Sequence, residues 1–296
     1  QGLHGPAQFQ RFAAFKFRRH GDVRILQRGL RPPADVGAHF PLALGGENLL
    51  EESAKLLLSM IFHPLIENGA FAPETFAIQK KYLADSIRAE INEKRRYAIN
   101  QTLRLMLGDE PAGLPMYGFL EDLEKMTPQA AAAAYERILK TCRVEIIHVG
   151  TGDANSVRPL FEEAFGEQFA AGRTPCTRPA PRKISAADTI KTAKDDFEVV
   201  QSKLCIGYRA DIQPDSPMLN PMRMMTAILG GTPTSKLFLN VREKQSLCYY
   251  CGANLDRTKG VILIDSGIRP DNVEKAKAAI FAEVEAMKQG KFTDED

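Results

Sequence analysis

The sequence predicts an α+β fold, with antiparallel-rich sheets and helices packed on one face of each sheet. Helical and strand patterns are mixed along the 296 residues without a strict β-α-β alternation. The same strand and helix patterns occur on both sides of residues 173–195, a segment that contains three prolines and shows no periodicity. We therefore predict a first unit over 1–172, a linker over 173–195 and a second unit over 196–296.

The first unit is predicted to be mostly helical. Thr127 is a favourable N-cap, and Pro128 suits the first position of the alanine-rich helix that follows. Residues 142–149 alternate in polarity, which is typical of a strand. The predicted helices cover 47–64, 73–107, 128–140 and 156–165.

The second unit alternates between strands and helices, and Gly230-Gly231 separates two of its helical patterns. Apolar and aromatic residues follow one another closely from Ser246 onward, as in a strand. The other predicted elements are strands over 198–208 and 261–266 and helices over 217–229 and 273–288.

Composition excludes several classes of function. The net charge is +2, and the basic residues of 1–40 form no recognition motif, so no nucleic-acid partner is expected. The chain has no run of 18 apolar residues, so no membrane partner is expected. Its five cysteines are irregularly spaced, which favours a reducing, cytoplasmic location over a disulfide framework.

The densest stretch of the sequence is Gly230 to Gly252, in which a helix leads directly into a strand. It contains Asn240-Val-Arg-Glu-Lys-Gln-Ser-Leu-Cys-Tyr249. This run resembles the peptidase M16 family, which includes pitrilysin, insulin-degrading enzyme and the mitochondrial processing peptidase. The resemblance implies LuxS/MPP-like metallohydrolase units, with the second unit C-terminally incomplete and the N-terminal part of the first unit poorly matched.

The resemblance also implies a role for two residues. In active family members an arginine and a tyrosine at this separation reach the peptide substrate near the metal. Arg242 and Tyr249 stand at the matching positions, so both are predicted to bind substrate. Arg242 would donate hydrogen bonds to a substrate carbonyl, and Tyr249 would donate one to the same region.

The metal site of the family is not recognisable in the sequence. The family's inverted H-x-x-E-H motif is missing, and no two of the five histidines lie within five residues of each other. The third zinc ligand of the family is a glutamate on a later helix; the register places Ser86 at the matching position, in preference to Glu90 one turn further on. We expect no metal, no other cofactor and no catalytic residue in this chain.

Two other residue pairs could suggest a site. His63 and Glu67 are separated by Pro64, so a regular helical turn is not expected, and a solvated histidine at a helix end is the better interpretation. Cys248 and Cys251 have the C-x-x-C spacing of redox proteins. Residues three apart in a strand point to opposite faces, so a redox role is disfavoured.

These features predict a non-catalytic subunit of a heteromeric M16-type zinc peptidase. Its partners would be a zinc-bearing M16 subunit, whose chamber it closes, and the peptide substrate that it holds. The alternative is a peptide-binding or assembly scaffold of the same fold with no role in proteolysis. A third possibility, a zinc peptidase whose motif was lost by truncation, is disfavoured by Ser86.

Overall fold

The computed structural model describes residues 49–108, 110–142, 144, 146–149, 153–169, 172–174, 189–210, 212 and 215–293. The predicted α+β fold is confirmed. The α-helices are α1 Leu49–Phe62, α2 Pro73–Ala89, α3 Lys94–Leu107, α4 Leu120–Lys125, α5 Pro128–Thr141, α6 Ala154–Gln168, α7 Leu219–Thr226 and α8 Val273–Lys288. The strands are β1 Ile66–Glu67, β2 Ala70–Phe71, β3 Ser202–Arg209, β4 Cys248–Asp256 and β5 Val261–Ile268. Two π-helical segments, Ala227–Gly231 and Leu237–Lys244, follow α7, and short 3₁₀ turns cover Glu90–Asn92, Pro111–Gly113 and Pro270–Asn272.

The described residues form two compact units. The first contains those of 49–82 and 121–174, and the second contains those of 83–120 and 189–293. The division predicted from the sequence, with a linker over 173–195, stays a prediction. None of the helices in the described part of the chain combines the length and apolar character needed to cross a bilayer.

The first unit is built around the packing of α1 against α6. Ala54 and Leu58 of α1 are buried against Val157 and Phe161 of α6. As predicted, the Thr127 hydroxyl caps α5 by accepting a hydrogen bond from the backbone N–H of Ala130 at 3.1 Å. Burial of these apolar side chains stabilises the packing of α1 against α6.

The second unit contains an antiparallel three-stranded sheet in the order β3-β5-β4. Ser202 of β3 pairs with Ile268 of β5, and the register continues without a break to Arg209 and Val261. β5 is almost wholly buried, as expected for the central strand of a sheet that is covered on both sides.

Helical segments cover both faces of this sheet. On one face Leu237 and Val241, both fully buried, pack with Ile264 and with Ile280 of α8. On the other face α3 packs through Leu107.

Glycine at position 207 allows α3 to approach the sheet closely. A Cβ atom there would lie 1.9 Å from the sulfur of Met106 in α3. The side chain of Met106 therefore occupies the space that any side chain at 207 would need.

Two predicted elements differ from the structure. The helix predicted over 73–107 is interrupted at Glu90–Asn92, because Glu93 leaves the helical region with φ −90° and ψ 77°. Among residues 142–149, the described residues form no strand, and Ile147 and Val149 are 81% and 92% exposed. An alternating pattern forms a strand only where a neighbouring strand can accept its backbone hydrogen bonds.

Candidate functional site

The segment that carries Arg242 is fixed by its buried face. Leu237 and Val241 are one helical turn apart, and both are completely buried in the core of the second unit. A tight turn follows, in which Ser246 adopts a left-handed conformation with φ 51° and its N–H donates to the carbonyl of Arg242 at 3.0 Å. This turn brings the start of β4 back beside the Arg242 side chain.

Arg242 is held by three neighbours. Its Nε donates a 2.8 Å hydrogen bond to the carbonyl oxygen of Tyr249, and its Nη1 lies 3.0 Å from a carboxylate oxygen of Glu243. Its guanidinium lies over the ring of Phe238, 4.5 Å from the ring centroid. The side chain is still 37% exposed, so the guanidinium is oriented in advance and open to solvent.

Tyr249 occupies an irregular position in β4. Cys248 pairs with Ile268 of β5 and Tyr250 pairs with Gly267, so Tyr249 is an extra residue that forms a β-bulge. Its side chain is 52% exposed. The structure therefore brings the two predicted residues together, with Arg242 bonded to the backbone of Tyr249 and the tyrosine ring exposed beside it.

The bulge corrects the expectation for Cys248 and Cys251. Because Tyr249 has no partner in β5, only one paired residue, Tyr250, lies between the two cysteines. Paired residues alternate between faces, so Cys248 and Cys251 point to the same face of the sheet. Both contribute to the same apolar cluster, in which Cys251 is buried and Cys248 is half-buried. The prediction that these side chains lie on opposite faces is wrong, because that prediction assumed a regular strand.

The opposite face of the sheet carries a cluster of charged and aromatic residues around Tyr250. The guanidinium of Arg95 lies 4.6 Å from the centroid of the Tyr250 ring, and the ammonium of Lys203 lies 5.2 Å from it. Arg95 also forms a two-point hydrogen-bonded ion pair with Asp265, whose side chain is 14% exposed. Burial, followed by the nearby Asp265 carboxylate, raises the pKa of the Tyr250 hydroxyl to about 12.

The sequence analysis missed this cluster for a simple reason. Arg95 and Asp265 are 170 positions apart, and neither belongs to a motif. The one sequence pattern that bears on this cluster is the alternation of side chains along a strand. By that alternation, Tyr250 and Asp265 occupy positions that face away from the larger apolar core. These two positions could have been paired only if the register of β4 and β5 were already known.

The described residues do not fit a zinc site. They contain no group of three or more histidine, cysteine, aspartate or glutamate side chains that could hold a metal ion. Ser86 lies on the exposed side of α2, and a serine hydroxyl is not a usual zinc ligand. His63 is exposed directly after the end of α1, and Glu67 lies in β1, as the interpretation of a solvated histidine predicted. Residues 1–48, where the sequence register would place a histidine pair, lie outside the described residues.

A family model matches residues 125–296 of this chain, and its description is "Peptidase M16 inactive domain". The probable inactive metalloprotease YmfF of Bacillus subtilis is 30% identical over 248 residues, which cover 84% of this chain and 57% of that protein. The uncharacterized zinc protease Rv2782c of Mycobacterium tuberculosis is 24% identical over 213 residues, covering 70% of this chain and 47% of that protein.

Solved structures show the same fold. A conserved protein from Enterococcus faecalis superposes with a TM-score of 0.74 at 27% identity, over 85% of this chain and 58% of that one. A peptidase M16 inactive domain from Pseudomonas fluorescens gives a TM-score of 0.57 at 18% identity, over 83% of this chain and 58% of that one. This chain thus spans 47% to 58% of the length of these four proteins.

Proposed function

This chain belongs to the peptidase M16 family and contains an inactive domain of that family, and from this premise we propose that it is the non-catalytic subunit of a heteromeric M16-type zinc peptidase. In this role it closes the chamber of a zinc-bearing M16 subunit and holds the peptide substrate. The described residues provide no ligand set for zinc, so the metal that activates water would belong to the partner.

One observation carries the proposal of substrate binding. The guanidinium of Arg242 is fixed by the Tyr249 carbonyl and by Glu243, while more than a third of the side chain stays exposed. Arginine has five N–H donors, and these contacts leave donors that can reach a peptide carbonyl or carboxylate. Because the donor is already oriented, binding a peptide costs little side-chain entropy. The exposed ring of Tyr249 adds an aromatic surface and a hydroxyl beside it.

A scaffold that binds or assembles peptides without any part in proteolysis is the second candidate. The exposed position of Arg242 and Tyr249 is compatible with it, since the same two side chains could hold a peptide that is never cut. The two functions differ in whether a zinc-bearing partner gains activity. We also propose a cytoplasmic location, which the four described cysteines support because all are free thiols.

The test is reconstitution. The full chain is mixed with an M16 subunit from the same genome that has an intact H-x-x-E-H motif, and cleavage of a flexible fluorogenic peptide is followed. We expect no cleavage by this chain alone and cleavage by the mixture. A partner that binds this chain but cleaves at the same rate without it would favour the scaffold.

Variants then test the site. Arg242→Ala should lower turnover in the complex by an amount equivalent to about 2–4 kcal/mol, because a charged donor would be lost where charge develops. Tyr249→Phe should cost less, since it removes one neutral donor and keeps the ring. Lys244→Ala is the matched control, because it removes an exposed positive charge from the same segment and should leave turnover unchanged. If Arg242→Ala and Tyr249→Phe both keep turnover within about twofold of wild type, which is less than about 0.5 kcal/mol, the role in substrate binding is wrong.

A further inference from the structure

Cys248 and Cys251 form a thiol pair that a regular strand would not allow. The bulge at Tyr249 turns both side chains to the same face of β4, and Ser266 of β5 is paired with Cys251 on that face. Ser266 is buried, and its hydroxyl donates a 2.7 Å hydrogen bond to the carbonyl of Tyr250. The two thiols are thus held side by side by the backbone of the sheet, with no need for a flexible loop.

The two thiols have different environments. Cys248 is half-buried, and a hydrogen bond with Cys251 lowers the pKa of its thiol to about 7, with smaller contributions from Ser266 and Arg242. Cys251 is only 5% exposed, and its hydrogen bond with Cys248, followed by burial, raises the pKa of its thiol far above the ordinary value. Near neutral pH one member of the pair is therefore reactive and the other is protonated and protected.

We propose that Cys248 and Cys251 are a site of reversible disulfide formation with a small-molecule disulfide such as oxidised glutathione. The Cys248 thiolate attacks one sulfur of the external disulfide, which releases one thiolate and leaves a mixed disulfide on Cys248. Cys251 then loses its proton to solvent and attacks the sulfur of Cys248, which releases the second thiolate. The two protein thiols are oxidised by two electrons, and the external disulfide is reduced to two thiols.

Oxidation of this pair would affect the backbone that Arg242 contacts. The disulfide would close a small ring that includes Tyr249 and Tyr250, and the Tyr249 carbonyl is the group to which Arg242 donates. Formation of the ring would fix the bulge in one geometry, so oxidation acts on the same backbone that positions Arg242. The inference stands on the bulge and the thiol pair, and it holds whether or not Arg242 binds a peptide.

The experiment uses the full chain with Cys142→Ser and Cys176→Ser, which removes the exposed thiol and the one outside the described residues. The protein is equilibrated in glutathione buffers of increasing oxidised fraction, quenched with iodoacetamide and mapped by mass spectrometry. We expect an internal Cys248–Cys251 disulfide that accumulates with the oxidised fraction and disappears when reduced glutathione is restored. Cys205 is the internal control, since it lies on the opposite face of the sheet and should stay a free thiol.

The Cys251→Ser variant traps the intermediate. It should retain glutathione on Cys248, because no second thiol is present to displace it. Three results would overturn the proposal: glutathione that stays on Cys248 while Cys251 is present, thiols that stay free in oxidised glutathione alone, or a disulfide that involves Cys205. The parent protein carries both cysteines, so these results do not depend on whether the serine variant folds.

Discussion

The side chain of Arg242 donates its Nε–H to the carbonyl oxygen of Tyr249 at 2.8 Å, so a residue predicted to bind substrate also fastens the strand next to it. The acceptor belongs to the extra residue of the β-bulge in β4. The Arg242 side chain therefore holds the backbone of Tyr249, whereas the Tyr249 side chain takes no part in this hydrogen bond. Substituting Arg242 should thus affect stability, and substituting the Tyr249 side chain should not.

Arg242→Ala should lower the free energy of unfolding by about 1 kcal/mol, because the bulge carbonyl loses a charged donor at a partly exposed site. Urea denaturation of the isolated chain measures this change. Tyr249→Phe is the matched control, since it leaves the carbonyl in place and should stay within about 0.5 kcal/mol of wild type. Equal destabilisation by both variants would show that the Arg242 hydrogen bond is not the source of the effect.

Gly230→Ala should destabilise the chain by about 1–3 kcal/mol through overpacking. A Cβ atom at this position would lie 2.4 Å from the backbone nitrogen of Ala253 in β4, which cannot move without disturbing the strand. Gly231→Ala is the control, because the nearest atom to its Cβ would be 3.5 Å away. Thermal unfolding of the two variants in parallel is the measurement, and similar melting temperatures would contradict the close contact between Gly230 and β4.

Alkylation of Cys248 should depend on pH with a midpoint near 7. The thiolate is the reactive form, so the rate rises with pH through the pKa, which hydrogen bonding to Cys251 lowers to about 7. Cys205 should react slowly over the same range, because burial raises the pKa of its thiol to about 11. Mass-resolved iodoacetamide labelling measures both rates. In Cys251→Ala, which removes the donor, the midpoint for Cys248 should move upward, and an unchanged midpoint would mean that Cys251 is not responsible.

The purified chain should contain no stoichiometric zinc. The described residues lack a ligand set, and Ser86 replaces the glutamate that the family resemblance requires. Elemental analysis after dialysis against a weak chelator is the measurement. One tightly bound zinc per chain that is lost on substitution of any of the five histidines would disprove this prediction.

Limited proteolysis should cut the chain first within 173–195. The sequence there has no periodicity and contains Pro175, Pro179 and Pro181, as exposed connections often do. Preferred cleavage inside 74–107 or 217–242 would show that the predicted division of the chain is wrong.

Much of the fold could be predicted from sequence because it depends on local periodicity. The helices at α1, α5, α6 and α8 and the strands β3 and β5 follow directly from apolar spacing. The break at Glu90–Asn92 could not be predicted, since no glycine or proline marks it. In the structure Glu90 accepts hydrogen bonds from Asn100 and Arg104, further along the chain, and these contacts are not visible in a local pattern.

The candidate site was predicted in part. The positions of Arg242 and Tyr249 on the end of a helical segment and at the start of a strand were foreseen, and the structure places them in contact. The bulge was not foreseen, because one inserted residue changes the face of every side chain before it without changing the composition of the strand. The orientation of Cys248 relative to Cys251 depended entirely on that residue.

The fit of Met106 against Gly207 has a consequence for how this fold can change over time. A side chain at 207 would require the Met106 side chain to move away or to be replaced by a smaller one, because the methionine sulfur fills the space beside the glycine. The two residues should therefore vary as a pair among relatives. Where position 207 carries a side chain, the residue facing it from α3 should be smaller than methionine, although the two positions are about a hundred residues apart in the sequence.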